Sequence, residues 1–111
     1  MFLALRLRGN NLQDDGTTLL CDVLRESKVS KLQELDLSAN GIRPRGAKSV
    51  AAYVAVNGSL TKISLAQNKL EEAGTRSICE ALKVNKTLKE LDMSGDLDLG
   101  DNIGGRTASP T

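Results

Sequence analysis

The chain has 111 residues, 40% of them hydrophobic and 26% charged, as is usual for one globular domain. Fifteen Lys and Arg residues against 14 Asp and Glu residues give a formal charge of only +1, with one Tyr, one Phe and no Trp, so we expect no nucleic-acid partner. The chain has no histidine, which removes the commonest general base, the usual catalytic triads and any Cys/His zinc site.

The first residues, MFLALRLRG, do not look like a secretory signal, because the apolar part is short, the charges follow it and no small-residue cleavage site is present. No apolar run approaches the roughly 20 residues that a membrane span needs. We therefore expect a cytoplasmic protein, or a piece cut from a longer chain, with no membrane partner.

One short pattern occurs four times and organises the chain. The copies are FLALRLRGN (2–10), LQELDLSAN (32–40), LTKISLAQN (60–68) and LKELDMSGD (88–96). Their last residues stand at 10, 40, 68 and 96, so subtraction gives spacings of 30, 28 and 28. Apolar residues spaced by three and then by two fit neither a helix nor an alternating strand throughout. The pattern predicts a short strand and then a turn, with strands centred on 5–7, 35–37, 63–65 and 91–93.

The segments between the copies predict helices. A glycine stands six residues after each of the first three asparagines, and apolar residues follow it at four, five and eight positions, which is one helical face. We expect helices near 15–26, 45–56 and 72–85. Pro44 suits a first helical turn, and Asn57 and Asn85 suit helix ends. These two asparagines also begin the sequons NGS and NKT, but their spacing of one repeat favours the cap over glycosylation.

The form L-x-x-L-x-L-x-x-N-x-L, present as LQELDLSANGI, LTKISLAQNKL and FLALRLRGNNL, resembles the leucine-rich repeat. The 28-residue period, the glycine and a small helix residue (Cys21, Ala51 and Cys79) resemble the ribonuclease-inhibitor-like subclass. The resemblance covers residues 2–97. It implies an α/β solenoid, a partial right-handed horseshoe with four parallel strands on the concave face and three helices on the convex face. The expected division is a repeat domain over 1–97, with about 3.5 repeats of 28–30 residues, and an irregular tail over 98–111.

In such a stack the turn asparagines form a ladder, each amide bonding to the backbone of neighbouring turns. Asp96 stands in place of the fourth asparagine and cannot donate when ionised, so we expect a different turn or a solvated side chain there. The segment DLDLGDN (96–102) offers oxygen ligands but does not match the calcium-loop pattern, which favours a solvated turn.

Cys21 and Cys79 share the small core position that Ala51 fills in the middle repeat, so we expect both thiols to be reduced and buried. They lie two repeats apart, which is too far for a disulfide bond. We therefore expect no catalytic residue, no cofactor and no metal, and the protein is predicted not to be an enzyme.

The strand residues that point away from the core are the predicted protein-binding site, because solenoids present ligands with the concave sheet. They are Arg6, Arg8, Glu34, Asp36, Lys62, Ser64, Glu90 and Asp92. An alternative explanation for each residue is charge matching between strands, with Glu34, Lys62 and Glu90 alternating in sign and Arg6 facing Asp36.

The resemblance implies a non-catalytic module that binds a protein partner on the concave face, as part of a longer repeat array or in a chain that stacks end to end with another copy. The alternative is a regulator of a small GTPase or of actin assembly, similar to Ran GTPase-activating protein or tropomodulin. A nucleotide-turnover assay with candidate GTPases would separate the two hypotheses. The identity of the partner does not follow from the sequence.

Overall fold

A computed structural model describes residues 2–27 and 31–95, and the backbone pairing of 107–108. The strands are β1 Ala4–Arg6, β2 Glu34–Asp36, β3 Lys62–Ser64, β4 Glu90–Asp92 and β5 Thr107–Ala108. The helices are α1 Gln13–Glu26, α2 Pro44–Val56 and α3 Glu71–Val84. The three helices lie within two residues of their predicted bounds. Each predicted strand lies one residue too far along the chain, because the strand ends before the third apolar residue of each copy.

The four repeat strands form a parallel sheet in the order β1-β2-β3-β4, paired in the register of the repeats. Leu5, Leu35, Ile63 and Leu91 therefore lie side by side across the sheet. β5 adds an antiparallel edge strand next to β4, within the segment expected to be irregular. Asp96 and the 96–102 segment lie outside the described residues, and the boundary between repeat domain and tail stays a prediction.

The core combines the inner strand residues with one face of each helix. Leu35, Ile63 and Leu91 are at most 1% exposed and belong to the same buried cluster as Val50 and Ile78 of the helices. Fully burying one such aliphatic side chain stabilises a fold by about 1.5 to 3 kcal/mol. The apolar periodicity of the sequence therefore corresponds to a single core between sheet and helices.

The asparagine ladder is confirmed. The Asn68 Oδ1 accepts hydrogen bonds from the backbone N–H groups of Asn40 and Ile42 at 2.9 and 3.0 Å, and its Nδ2 donates to the Leu37 carbonyl at 3.1 Å. Asn40 forms the equivalent bonds one repeat earlier, where its Oδ1 accepts from the backbone of Asn10 at 2.9 Å. The turns at Asn10 and Asn40 are thus each held by the asparagine of the next repeat, which explains why Asn40 and Asn68 are tolerated in buried positions.

The helix ends confirm the capping role of the other two asparagines. The Asn85 Oδ1 accepts from the backbone N–H groups of Thr87 and Leu88 at 2.9 and 2.6 Å, and its Nδ2 donates to the Val54 carbonyl at 2.8 Å. The Asn57 Oδ1 accepts in the same way from the backbone N–H groups of Ser59 and Leu60 at 2.8 and 2.6 Å, which holds the turn that follows α2. The Asn85 amide is buried, and both its oxygen and its nitrogen are hydrogen-bonded, so this residue has a structural role.

Gly46 and Gly74, each six residues after an asparagine, let successive helices approach closely. A Cβ at Gly46 would stand 2.5 Å from the Asp14 carboxylate oxygen, and one at Gly74 would stand 3.0 Å from the Ala47 Cβ. The same Asp14 oxygen accepts from the backbone N–H groups of Arg43 and Gly46 at 2.8 and 2.9 Å. A side chain of α1 therefore satisfies the free N–H groups at the start of α2.

The prediction that both cysteines are buried is correct for Cys21 and wrong for Cys79. Cys21 is 1% exposed in the contact between α1 and α2, whereas Cys79 is exposed on α3, and both thiols are free. The repeat position faces the following helix, and within the described residues no helix follows α3. Desolvation raises the pKa of Cys21 to about 12, so its thiol stays protonated at neutral pH.

Candidate protein-binding site

The candidate site is the face of the sheet that points away from the core. Side chains alternate along a strand, so the residues on both sides of each inner leucine stand on the opposite face. The register places Arg6, Asp36, Ser64 and Asp92 in one row. A second row holds Ala4, Glu34, Lys62 and Glu90. Neighbouring strands are about 4.8 Å apart, so side chains within a row can contact one another.

A shallow depression of about 370 Å³ lies on this face, and all the predicted site residues except Glu90 line it. The lining residues are Arg6, Arg8, Glu34, Leu35, Asp36, Ser38, Lys62, Ser64, Ala66, Gln67, Asp92 and Ser94. Residues from all four repeats therefore converge on one concavity, although the longest sequence separation is more than 80 residues.

Two ion pairs cross the sheet face, and one differs from the predicted pairing. Arg6 Nη2 lies 3.3 Å from Glu34 Oε2, although Asp36 is its register partner, and Lys62 Nζ lies 3.6 Å from Glu90 Oε2. Arg6 therefore faces Asp36 in the strand register, as expected, but forms its ion pair with Glu34. The Asp36 carboxylate is already engaged, because Oδ1 accepts from the Ser38 N–H and hydroxyl at 2.9 and 2.6 Å.

The residues at the ends of the strands share this local role. The Asp92 Oδ1 accepts from the Ser94 N–H at 2.9 Å, and the Ser64 hydroxyl accepts from the Ala66 N–H at 3.4 Å. These side chains stabilise the turn that follows each strand, as Asp and Ser side chains often do. Part of their presence at this position is thus explained by the turn and not by a partner.

Arg8 reaches across the site and holds two other repeats. Its Nη1 donates to the Ser38 hydroxyl at 3.0 Å, and its Nη2 donates to the Gln67 Oε1 at 2.7 Å. Gln67 was not predicted as a site residue. Its repeat position is filled by Gly9, Ala39 and Gly95 in the other copies, so a long polar side chain at this position is the signal that could have identified it.

The charges of the site are accessible. The Arg6 side chain is 70% exposed, and the Lys62 and Glu90 side chains are also exposed. Exposed ion pairs contribute only about 0 to 1 kcal/mol each, so they can be exchanged for contacts with a partner at little cost. Positive side chains (Arg6 and Arg8) stand at the β1 side and negative ones (Glu90 and Asp92) at β4, so the charge changes from positive to negative across the face.

The chemistry of the described residues at this face is that of charged and hydrogen-bonding side chains. They contain no group of three or more side chains suited to hold a metal ion. Desolvation raises the pKa of Tyr53, like that of Cys21, to about 12, and both residues belong to the core. Among the described helices, none is long and apolar enough to span a bilayer. The face therefore offers charge, hydrogen-bonding groups and shape.

Four parallel strands alternating with three helices in a register of about 28 residues define an α/β repeat protein. The sequence model of the family described as "Leucine Rich repeat" matches residues 1–21 and 30–51, which hold β1, β2 and the first parts of α1 and α2. Over these two stretches the chain is similar to leucine-rich repeats. Leucine-rich repeats generally mediate protein–protein interactions and are typically non-catalytic. A comparison with curated proteins found no match.

Proposed function

We propose that the protein is a non-catalytic interaction module of the ribonuclease-inhibitor-like subclass. It binds a protein partner on the face of its parallel sheet that points away from the core. The observation that carries the proposal is the depression on that face, because it brings together seven of the eight side chains that the repeat pattern selects. A partner lying there would contact all four repeats at once. The 28-residue period and the glycine contacts between helices support the subclass.

The sheet face is the concave side of a partial right-handed horseshoe in this proposal. Packed helices lie about 8 to 10 Å apart, whereas hydrogen-bonded strands lie about 4.8 Å apart. A stack in which each repeat contributes one helix and one strand must therefore curve with its strands inside. Curvature of this kind directs the charged rows toward a bound protein.

The charge distribution supports an oriented partner. Arg6 and Arg8 stand at one side of the face, and Glu90 and Asp92 stand at the other. Complementary charge chiefly sets the association rate and the register of a complex. Arginine is also enriched among residues that dominate interface energy, so we expect Arg6 and Arg8 to be the main anchors.

The test is a pull-down with the full chain as bait, identification of the captured protein by mass spectrometry, and a titration of the purified pair. Reversing Arg6 and Arg8 to Glu should weaken binding at least about tenfold, or about 1.4 kcal/mol, and reduce its salt dependence. A second pair, Glu90→Gln with Asp92→Asn, should weaken binding less. Asp92→Asn keeps the oxygen that accepts from the Ser94 N–H, so the turn is preserved.

The matched control changes exposed cations on the helices instead. Lys48→Glu with Lys83→Glu reverses two charges away from the sheet and should leave the affinity unchanged. Thermal melting of every variant checks that the fold is retained. If binding survives the sheet-face changes and is lost when Arg25, Lys48 and Lys83 are replaced, the helices carry the interface and the proposal is wrong.

We also place the protein in the cytoplasm within this proposal. Two free thiols, one of them exposed at Cys79, suit a reducing compartment. Localisation of a tagged full-length protein by microscopy tests this, and secretion into the medium would contradict it.

A further inference from the structure

Arg8 differs from every other arginine of the described residues because no carboxylate pairs with it. The others each form an ion pair with an Asp or Glu side chain, and they are Arg6, Arg25, Arg43, Arg45 and Arg76. Arg8 instead donates to two neutral acceptors, from Nη1 to the Ser38 hydroxyl at 3.0 Å and from Nη2 to the Gln67 Oε1 at 2.7 Å. Its positive charge therefore lines the depression without a negative charge bonded to it.

The side chains beside Arg8 are small and neutral. Backbone pairing continues past the ends of the strands and aligns a third row on the sheet face, which consists of Arg8, Ser38, Ala66 and Ser94. In the adjacent row, the Asp36 carboxylate accepts from the Ser38 N–H and hydroxyl, so it is engaged in its own turn. Small neighbours leave room for a further acceptor to approach the guanidinium of Arg8.

The two hydrogen bonds fix this guanidinium over the inner strands. Ser38 follows β2 and Gln67 follows β3, so the Arg8 side chain extends inward from β1, and its position does not depend on what lies beyond the β1 edge. A guanidinium has more N–H groups than these bonds use, and all of them lie in its plane. Such a group binds a carboxylate through parallel N–H···O bonds. Arg8 is therefore already held in place for an acceptor that the described residues do not supply.

Gln67 stands at a turn position where the backbone favours glycine. Its φ is 57°, in the left-handed region, and Gly9 and Gly95 occupy the position in the first and last copies of the repeat. A glutamine is less favourable for such a backbone than glycine is. Its side chain lies beside Gly95, where a Cβ would stand 3.2 Å from the Gln67 Cγ. The backbone gives no reason for a glutamine here, whereas the bond from Arg8 to its side-chain oxygen does.

We infer that Arg8 is a binding site for a carboxylate, and that an Asp or Glu side chain of the protein partner occupies it. The inference rests on the proposed function for the partner and adds the chemistry of the contact. An uncompensated positive charge selects an acidic group, and the planar guanidinium suits the two oxygens of a carboxylate. Gln67 and Ser38 are positioning residues, because they hold the guanidinium in place.

Arg6 and Arg8 should therefore contribute unequally to binding. Arg6 pairs with Glu34, so a carboxylate of the partner can only replace an ion pair that already exists. Arg8 has no such pair to lose. Its side chain is also ordered before binding, so less conformational freedom is lost when the carboxylate arrives.

Titration of the full chain with acetate tests the site without a partner. Heteronuclear NMR follows the Nε–H signals of the arginines at constant ionic strength, with acetamide as the neutral probe, and loss of one signal in Arg8→Lys assigns it. Acetate should shift the Arg8 signal saturably, and the Arg6 signal at least about threefold less at the same concentration. An Arg8 signal that does not saturate, or that responds equally to acetamide, would overturn the inference.

Two variants of Gln67 separate positioning from folding. Gln67→Gly removes the side chain and relieves the positive φ, so it should weaken acetate binding at least about threefold while the melting temperature stays unchanged or rises. Gln67→Glu supplies a carboxylate within the molecule and should abolish acetate binding at Arg8. The matched control is Gln13→Glu, the same change at a glutamine with the same φ outside the depression, and it should have no effect. Undiminished acetate binding in Gln67→Glu would contradict the inference.

The protein captured in the pull-down separates this inference from the proposed function. Arg8→Gln should weaken its binding at least about tenfold, and Arg6→Gln should weaken it less. If acetate binds at Arg8 but neither variant changes the affinity for the captured protein, the carboxylate site is supported and the proposed function is wrong. If the captured protein requires the sheet face but acetate does not bind, or Arg6→Gln costs more than Arg8→Gln, the inference is wrong and the proposed function stands.

Discussion

Cys21 and Cys79 occupy the same position of two repeats, yet Cys21 is buried and Cys79 is exposed. The two local sequences are alike, and both residues lie on helices of 14 residues. The difference is the neighbour, since α2 covers Cys21 and no described helix covers Cys79. In a repeat protein, burial is therefore a property of a position together with the adjacent repeat.

Two further pairs show the same contrast between the inside and the ends of the stack. Asn68 is completely buried and bonds to two repeats, whereas Asn10 is exposed and its Nδ2 bonds only within its own turn, to the Leu7 and Arg8 carbonyls. Gly46 contacts the preceding helix, whereas a Cβ at Gly16 would meet only Leu12 of its own segment. Substituting both members of each pair tests whether contact with the neighbouring repeat causes the difference between them.

The largest contrast should be in thiol labelling. With Cys79→Ser, the remaining Cys21 should react with a thiol reagent at least about a thousandfold more slowly than Cys79 does in a Cys21→Ala variant. Labelling of Cys21 requires an opening that costs several kcal/mol, and burial also raises the pKa of its thiol to about 12. Both variants should label fully in denaturant. Fast labelling of native Cys21 would show that α1 does not pack on α2 as described.

The second largest contrast should be in the unfolding free energy that is lost when Asn68 or Asn10 is replaced by alanine. Asn68→Ala removes an oxygen that accepts two backbone N–H groups, and leaves those groups buried without partners. At about 1 to 3 kcal/mol for each unsatisfied group, we expect a loss of about 2 to 5 kcal/mol of unfolding free energy. Asn10→Ala should cost less than about 1 kcal/mol, because its turn is open to water.

Urea unfolding followed by circular dichroism measures both changes, and Asn68→Asp is an informative third variant. Its carboxylate can accept the two N–H bonds but cannot donate to the Leu37 carbonyl. The stability of Asn68→Asp should therefore lie between those of the wild type and Asn68→Ala. Equal costs for Asn68→Ala and Asn10→Ala would show that the contacts between repeats do not stabilise the turns.

The sequence predicted what depends on spacing within the chain. The asparagine ladder, the caps at Asn57 and Asn85 and the close helix contact at Gly46 all follow from positions that recur in register. These features are local or involve the adjacent repeat, whose sequence is known. Most of the residues that line the depression could be predicted for the same reason, since alternation along a strand decides which side chains leave the core.

What could not be predicted depends on a choice between competing contacts. Arg6 has two carboxylates within reach, and it pairs with Glu34 because Asp36 is engaged in its own turn. Gln67 contributes to the site through a long side chain whose direction no periodicity determines. The repeat pattern predicts the wrong exposure for Cys79, because a helix covers the first copy of this position and, among the described residues, no helix covers the last.

The smallest contrast should be between the stability effects of replacing Gly46 and Gly16 by alanine. Gly46→Ala places a methyl group 2.5 Å from the Asp14 oxygen and 3.1 Å from its Cα, so α1 and α2 must separate or Asp14 must release the start of α2. Overpacking of this kind costs about 1 to 3 kcal/mol, which exceeds the roughly 1 kcal/mol that alanine gains over glycine in a helix. Gly46→Ala should therefore destabilise the protein in urea unfolding.

Gly16→Ala is the matched control, because Gly16 has the same helix position but a Cβ there would meet only Leu12 of its own segment. Its Cβ would lie 3.3 Å from the Leu12 Cβ, a contact that offsets part of the gain in helix propensity, so the net change should be within about 0.5 kcal/mol. Combining Gly46→Ala with Asp14→Ala removes the atom that the methyl group meets most closely. If the clash is the cause, the two changes together should cost less than the sum of their separate costs. If the two losses of unfolding free energy simply add, the clash with Asp14 is not the cause, and Gly46 is required for its backbone conformation and not for the close approach of α1.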